Sequence, residues 1–300
     1  MHGMRFSRLA VCIIVLLLYA QPTHAQKQAI RKALKEIIAG KSLKLGLGVY
    51  DFTTGQSFSF NGNQRFPMQS VYKLPIVLAV LERVDQEACS LSDTLTIQPQ
   101  TLFPDTWSPL REDFPNGTSL PLSRLIQYVI VKSDNNASDI LLERIGGPDS
   151  VQNYLHKKRI KGIKIKNSER EIQSSWNIQF DNWATPKGMT ELLKHFGKKE
   201  LLHPESQNFL WETMSYILTG SIKKYLPPEV TVARKTGYSG RNEKGIIAAI
   251  NDVGIMQVTR DRQIAYAILI TDSYETADTN YDLIARIGAA LFRIFQNGDL

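Results

Sequence analysis

Pro67-Met68-Gln69-Ser70-Val71-Tyr72-Lys73 opens a run of helical period that continues from Leu74 to Val84. Ser70 and Lys73 therefore fall one turn apart on the same face. Such a pair can supply a nucleophile and a base. A serine hydroxyl needs a neighbouring acceptor, and a lysine serves as one only where burial or cationic neighbours lower its pKa from roughly 10.4. A helix start at this place would also aim backbone N–H groups at a developing oxyanion. Pro75, just past the first turn, is expected to remove a hydrogen bond and kink the helix. The spacing by itself is common, and Ser221 to Lys224 repeats it.

Working outward, Ile30, Leu34, Ile37 and Ile38 recur at helical spacing before Gly40, which stands where a C-terminal cap belongs. Leu45, Leu47 and Val49 alternate, Thr53-Thr54-Gly55 is a turn signal, and Phe58 and Phe60 resume the alternation as a hairpin. Val230 to Ala233, Gly245 to Met256 and Ile264 to Thr271 read as three further strands, the middle one interrupted by Asn251-Asp252 as a bulge. Ile284, Ile287, Leu291, Ile294 and Phe295 mark a closing helix. Between Pro67 and Met214 the period is helical, clearest over Leu74 to Val84, Leu122 to Val131, Ala137 to Ile145 and Pro186 to Phe196. Leu122 to Val131 is apolar on nearly every side, as a helix in the middle of a lobe would be. The chain thus starts in an α/β lobe (26–66), leaves for an all-helical one (67–214) and returns (215–300). A cleft between two such lobes is where a small-molecule site is expected.

The 300 residues, 43% hydrophobic and 22% charged, exclude disorder, collagen-like repeats and a coiled coil. Cys12 and Cys89 cannot build a disulfide framework or a four-thiolate zinc site. Residues 1–25 read as a secretory signal peptide: Arg5 and Arg8 precede the apolar run Leu9 to Ala20, and Thr23-His24-Ala25 offers a cleavage site. That run of 12 residues is short of the roughly 20 a spanning helix needs, so the processed chain is expected to be exported without a membrane anchor. Processing removes two arginines and lowers the formal charge from +7 to +5. The clusters Lys157-Lys158-Arg159 and Lys161 to Lys166 lack interleaved aromatics and read as solvated faces, with no nucleic-acid partner. His156, His195 and His203 form no metal-ligating or triad pattern, so any general base must be Lys, Glu or Asp, and no metal or cofactor is implied.

Two further motifs remain. Ser133-Asp134-Asn135 stands between two helices, where Ser or Asp also serves as a cap. Lys235-Thr236-Gly237 ends a strand before Tyr238-Ser239-Gly240, which a plain strand edge running into a glycine turn also explains. Taken together, S-x-x-K on a helix start, S-D-N between helices and K-T-G on a strand are named as a set for class A β-lactamases and penicillin-binding proteins. Over essentially the whole processed chain the sequence resembles the class A serine β-lactamase family; Ile145-Gly146-Gly147-Pro148 and Gly245-Ile246-Ile247-Ala248-Ala249 look like family segments too. Pro67 to Lys73, Trp107-Ser108-Pro109 and Asn182-Trp183 look most like its cephalosporinase and extended-spectrum branch, subclass A2. The resemblance implies a two-lobed α/β fold shared with penicillin-binding proteins: a five-stranded antiparallel sheet flanked by terminal helices, plus an inserted helical lobe.

It also implies roles. Ser70 attacks the lactam carbonyl, with the N–H groups of Ser70 and Tyr238 as oxyanion hole, and either Lys73 or Glu169 through a water is the acylation base. Glu169, in Asn167-Ser168-Glu169-Arg170-Glu171, is the deacylation base, and Gln173 replaces an asparagine usual four residues after it. Ser133 relays a proton to the lactam nitrogen, Asn135 holds the substrate's acylamide and Lys73, Lys235 and Thr236 bind the substrate carboxylate, and Gly237 lies beside them in the substrate-binding end of the cleft. Lys244 is a second carboxylate anchor in place of an arginine, weaker because lysine lacks the bidentate fork. Trp107 either walls the entrance or packs in the core. The implied protein is a periplasmic monomer acting on small β-lactams. The alternatives are a D-alanyl-D-alanine peptidase, against which Glu169 speaks, and a β-lactam-sensing domain, against which the cleavable signal speaks.

Overall fold

The computed structural model describes residues 25–217 and 221–296, so the expected signal peptide lies outside the described residues except for Ala25. Residues 25–37 form α1, on which Ile30, Leu34 and Ile37 are buried at helical spacing. β1 (Lys44–Asp51) and β2 (Ser57–Phe60) make the expected hairpin. Next come β3 (Phe66–Pro67), a 3-10 turn over Gln69–Tyr72, α2 (Lys73–Asp85), β4 (Thr94–Ile97) and α3 (Pro109–Asp113). β5 (Thr118–Pro121) runs into α4 (Leu122–Val131), α5 (Asn135–Arg144) and α6 (Pro148–Lys157). β6 (Ile163–Lys164), α7 (Glu169–Gln173), β7 (Trp183–Ala184), α8 (Pro186–Gly197) and α9 (Pro204–Ser215) complete the insertion. The return supplies β8 (Val232–Tyr238), β9 (Ile250–Thr259), β10 (Arg262–Thr271) and α10 (Ala277–Gln296).

The sheet runs β2-β1-β10-β9-β8, antiparallel throughout. Alternation divides its side chains: Leu47, Val49, Ile264, Tyr266 and Ile268 join α1 and α10 in one core, while Val253, Ile255, Ala265, Ala267 and Leu269 face the insertion in the other. Each fully buried Leu or Ile contributes about 1.5–3 kcal/mol. α4 is buried as its composition requires, with Leu122, Leu125, Ile126, Val129 and Ile130 at 0% exposure.

Several expectations are corrected. The inserted segment is not all-helical. β4 and β5 pair as a hairpin on short β-rich stretches, β7 bridges β3 and β6, and α8 lies on β1 and β10. Pro75 does not break α2, because the α-helix begins only at Lys73 and leaves Pro75 in the first turn, where N–H groups have no intrahelical partner. Asn251 and Asp252 make no bulge; both keep ladder register with Gly237 and Thr236, and the irregularity lies at Arg262–Gln263. β8 starts at Val232, after a turn closed by Val230 N–H to Pro227 O, and β9 starts only at Ile250, because Asn242–Gly245 closes a turn in which Gly245 has φ of 76°.

Candidate active site

Ser70 sits in the 3-10 turn, where three residues per turn eclipse positions i and i+3. That brings Lys73 Nζ to 3.0 Å from Ser70 Oγ. The turn is held from below: Asn251 Nδ2 donates to Pro67 O (2.9 Å) and Met68 O (3.0 Å), and Met68 N donates to Asn182 O (3.0 Å). β8 runs against it so closely that a Cβ on Gly237 would stand 2.6 Å from Met68 O and 3.2 Å from Ser70 N. The third residue of K-T-G must therefore be glycine.

S-D-N divides its labour. Asp134 caps α5, accepting from Ala137 N (2.8 Å), and ties α3 to it through Leu110 N (2.6 Å) and Ser108 Oγ. Burial pushes its carboxyl up against the pull of these donors. Ser133, at φ 56°, and Asn135 turn toward Lys73 instead. Lys73 Nζ donates to Ser133 O (2.8 Å) and Asn135 Oδ1 (2.5 Å), and Asn135 Nδ2 donates to Thr106 Oγ1 (2.7 Å). Lys235, 1% exposed, reaches Ser133 Oγ at 2.9 Å and Thr236 O at 3.0 Å. Burial, reinforced by the Lys73 charge, holds the Lys235 ammonium well below the usual lysine range.

Glu169 completes the cluster, with Oε1 at 3.0 Å from Lys73 Nζ and both groups buried. It opens α7, whose first turn is set by a capping box between Ser168 and Glu171. Asp139 on α5 accepts from the N–H groups of Glu169 (2.7 Å) and Arg170 (2.9 Å). Burial raises Asp139 to about 6, against the lowering effect of those two bonds. Asn182 closes the neck of the loop, accepting from the N–H groups of Lys166 and Asn167 and donating to Asn167 O.

These groups meet at a cleft of about 840 Å³, lined by Ser70, Ser133, Asn135, Glu169, Gln173, Thr236, Gly237 and Tyr238 among others. Trp107 is a wall and not core: it is 60% exposed, lines the cleft, and donates its indole N–H to Lys132 O (2.9 Å). Gln173 lines the cleft one helical turn beyond Glu169. Lys244 is the exception. It is exposed on the Asn242–Gly245 turn, held there by Asn242 Oδ1, and does not line the cleft. Sequence reading also passed over Gln69, Thr106, Asp139, Asn251 and Tyr281, which carry no motif of their own and become visible only through their partners. Among the described residues no three His, Cys, Asp or Glu side chains are grouped to hold a metal.

A family model described as the Beta-lactamase enzyme family matches residues 29–295. The chain belongs to the class A β-lactamase family. It is 37% identical to β-lactamase VEB-1 of Pseudomonas aeruginosa over 92% of this chain and 93% of that protein. It is 33% identical to the extended-spectrum β-lactamase PER-1 of the same organism, over 90% and 89%. The crystal structure of the TLA-1 extended-spectrum β-lactamase superposes with a TM-score of 0.88 at 36% identity, covering 90% of this chain and 99% of that one. A class A β-lactamase from Bacteroides cellulosilyticus gives 0.87 at 30% identity. Membership brings together S-x-x-K, S-D-N and K-T-G, the three motifs that converge on Lys73 and Lys235.

Proposed function

We propose that this β-lactamase hydrolyses the cyclic amide of penicillins and cephalosporins through an acyl-enzyme on Ser70, with residues 26–66 and 215–300 as one wall and 67–214 as the other. The observation that carries the reading is the shell around Lys73. Four oxygens surround Nζ: those of Ser70, Ser133, Asn135 and Glu169. An ammonium has only three N–H donors, and of these four oxygens only Ser70 Oγ is a hydroxyl with a proton to give instead, since Ser133 meets Nζ through its backbone carbonyl. Passing one Lys73 proton to Glu169 leaves Nζ able to take the Ser70 proton as the hydroxyl attacks.

The developing oxyanion lies between the N–H groups of Ser70 and Tyr238, each such donor contributing roughly 3–4 kcal/mol in comparable sites. The breaking C–N bond needs a proton on nitrogen, and Ser133 Oγ, itself hydrogen-bonded to Lys235, delivers it. Thr236 and Lys235 face the substrate carboxylate, and Asn135 with Thr106 holds the acylamide side chain. Lys73, holding the Ser70 proton, reprotonates Ser133 and recovers its own proton from Glu169. The Glu169 carboxylate then takes a proton from water, whose oxygen attacks the ester, and returns it to Ser70 Oγ as the ester C–O bond breaks. A peptidase that acylates and then deacylates slowly does not account for a carboxylate held on Lys73. We read residues 1–25 as the signal that exports the enzyme to the periplasm as a monomer; no helix among the described residues is long and apolar enough to cross a membrane. The test is turnover of a chromogenic cephalosporin. Many equivalents of colour per enzyme, abolished in Ser70→Ala, are expected; one equivalent and then arrest would contradict hydrolysis.

A further inference from the structure

Gln69 stands immediately before the nucleophile and has no part in the scheme above. Its φ is 47°, in the left-handed region that a residue with a Cβ keeps only where its surroundings impose it. Those surroundings are tight. Met68 O accepts from Asn251 Nδ2 and Met68 N donates to Asn182 O, so the residue before Gln69 is held on both sides. β8 closes the next side, where a Cβ on Gly237 would stand 3.2 Å from Gln69 Cβ. The side chain is thereby sent toward the loop that carries Glu169.

There Gln69 Nε2 donates to Gln179 Oε1 at 2.6 Å, and Gln179 Nε2 donates in turn to Trp176 O at 2.7 Å. Gln179 is 4% exposed and lies in the 3-10 turn Ile178–Asp181. Both ends of its amide are spent, one on the nucleophile turn and one on its own loop. The same 3-10 turn reaches the base: Asn167 Nδ2 donates to Ile178 O at 3.4 Å, and Asn167 is two residues before Glu169. A set of contacts thus runs from Gln69 through Gln179 and Asn167 to Glu169 without passing through Lys73.

That independence matters once Ser70 is acylated. Lys73 Nζ lies 3.0 Å from Ser70 Oγ and 3.0 Å from Glu169 Oε1, and so ties the base to the nucleophile directly. Acylation turns Ser70 Oγ into an ester oxygen and changes that shell just before the base is needed.

We propose that Gln69 is a positioning residue for the hydrolytic step: through Gln179 its amide locks the loop that carries Glu169 to the nucleophile turn, so that the spacing between ester and base survives acylation. This rests on Glu169 as the base that activates water. A buried carbonyl oxygen on Gln179 needs a donor, and the amide of Gln69 supplies it from a backbone that cannot turn away.

The experiment is Gln69→Met, which keeps the unbranched length of the side chain and removes the amide. Deacylation in a single turnover, followed by quench-flow and intact mass, is expected to slow about five- to tenfold, as the loss of one hydrogen bond does. Meanwhile kcat/KM, which reports acylation, stays within twofold, and KM falls together with kcat as acyl-enzyme accumulates. A merely unfolded fraction would lower kcat and leave KM unchanged. Gln179→Met approaches the bridge from the loop and is expected to give the same split, with the double variant no slower than the slower single one. In a Glu169→Ala background Gln69→Met should add less than twofold, because the base it positions is gone. An unchanged acyl lifetime in both single variants overturns the proposal, as do additive effects in the double variant or a full effect that persists without Glu169. A parent enzyme that never releases its acyl group overturns the hydrolytic reading before any variant is made, and this assignment with it.

Discussion

Gly237→Ala adds a single methyl at the closest approach between β8 and the nucleophile turn. That methyl would meet Met68 O at 2.6 Å, at least 0.4 Å inside the 3.0 Å that real Cβ contacts respect, with Gln69 Cβ and Ser70 N at 3.2 Å each. The turn cannot yield readily, because Asn251 Nδ2 grips both Pro67 O and Met68 O. β8 must therefore move outward, carrying the N–H of Tyr238 with it. Oxyanion donors act within about 2.7–3.1 Å, so a displacement of several tenths of an ångström removes one, at roughly 3–4 kcal/mol or 10²–10³ in rate. Overpacking itself costs about 1–3 kcal/mol of stability, which lowers Tm by roughly 2–12 °C in a protein of this size. Stopped-flow acylation by a chromogenic cephalosporin is expected to slow at least a hundredfold while the protein remains folded at 25 °C. A folded variant that acylates within threefold of the parent would refute the inference that this contact sets the oxyanion hole.

Asp139 gives a pH prediction. Its folded value of about 6 lies above the ordinary 3.8, so the native state takes up a proton that the unfolded chain does not. From this group stability falls as pH rises through about 4 to 6, and its carboxylate is charged above that window. Only the ionised form offers two unprotonated oxygens to the N–H groups of Glu169 and Arg170, so kcat should decline below about pH 6. Asp139→Asn should erase that limb and lower kcat at pH 7.5 about tenfold; an unaltered profile would assign the limb elsewhere. Behind K-T-G, Arg234 and Asp252 pair at 3.3 Å, both 1% exposed, and Tyr266 Oη donates to Asp252 at 2.8 Å. Burial lifts Asp252 to about 6. Asp252→Ala removes the carboxylate but leaves the guanidinium and phenol buried, at about 3–5 kcal/mol, or roughly 6–20 °C in Tm by calorimetry. A shift under 3 °C would show that the pair is not a keystone of this strand.

What was legible in the sequence was what local periodicity and motif chemistry encode. Leu122–Val131 is read to the residue because its apolar surface leaves one solution, and Pro186 marks the start of α8 through its place in the first turn. Ser70, Lys73, Ser133 and Lys235 stand in motifs that are ambiguous singly and became legible as one site only as an ordered set. Asn251 and Asp252 were misread because two polar residues inside a strand look like an interruption until their partners are known: the Pro67 and Met68 carbonyls for one, Arg234 and Tyr266 for the other. Lys244 was misplaced by analogy with an arginine position, since nothing local says where a turn directs its side chain. Asp139 was silent for the same reason: its importance lies in its bonds to the N–H groups of Glu169 and Arg170 on another helix, and periodicity reports only one helix at a time.

In the proposed mechanism Glu169 activates the water that releases the acyl group from Ser70. Intact-mass analysis of Glu169→Ala mixed with a cephalosporin tests it most directly. Rapid gain of one acyl adduct, confined to Ser70, is expected, and it should outlast many turnover times of the parent, which clears its own adduct within one. A Glu169→Ala enzyme that sheds the adduct at the parental rate would contradict the account and move the hydrolytic base elsewhere in the cleft.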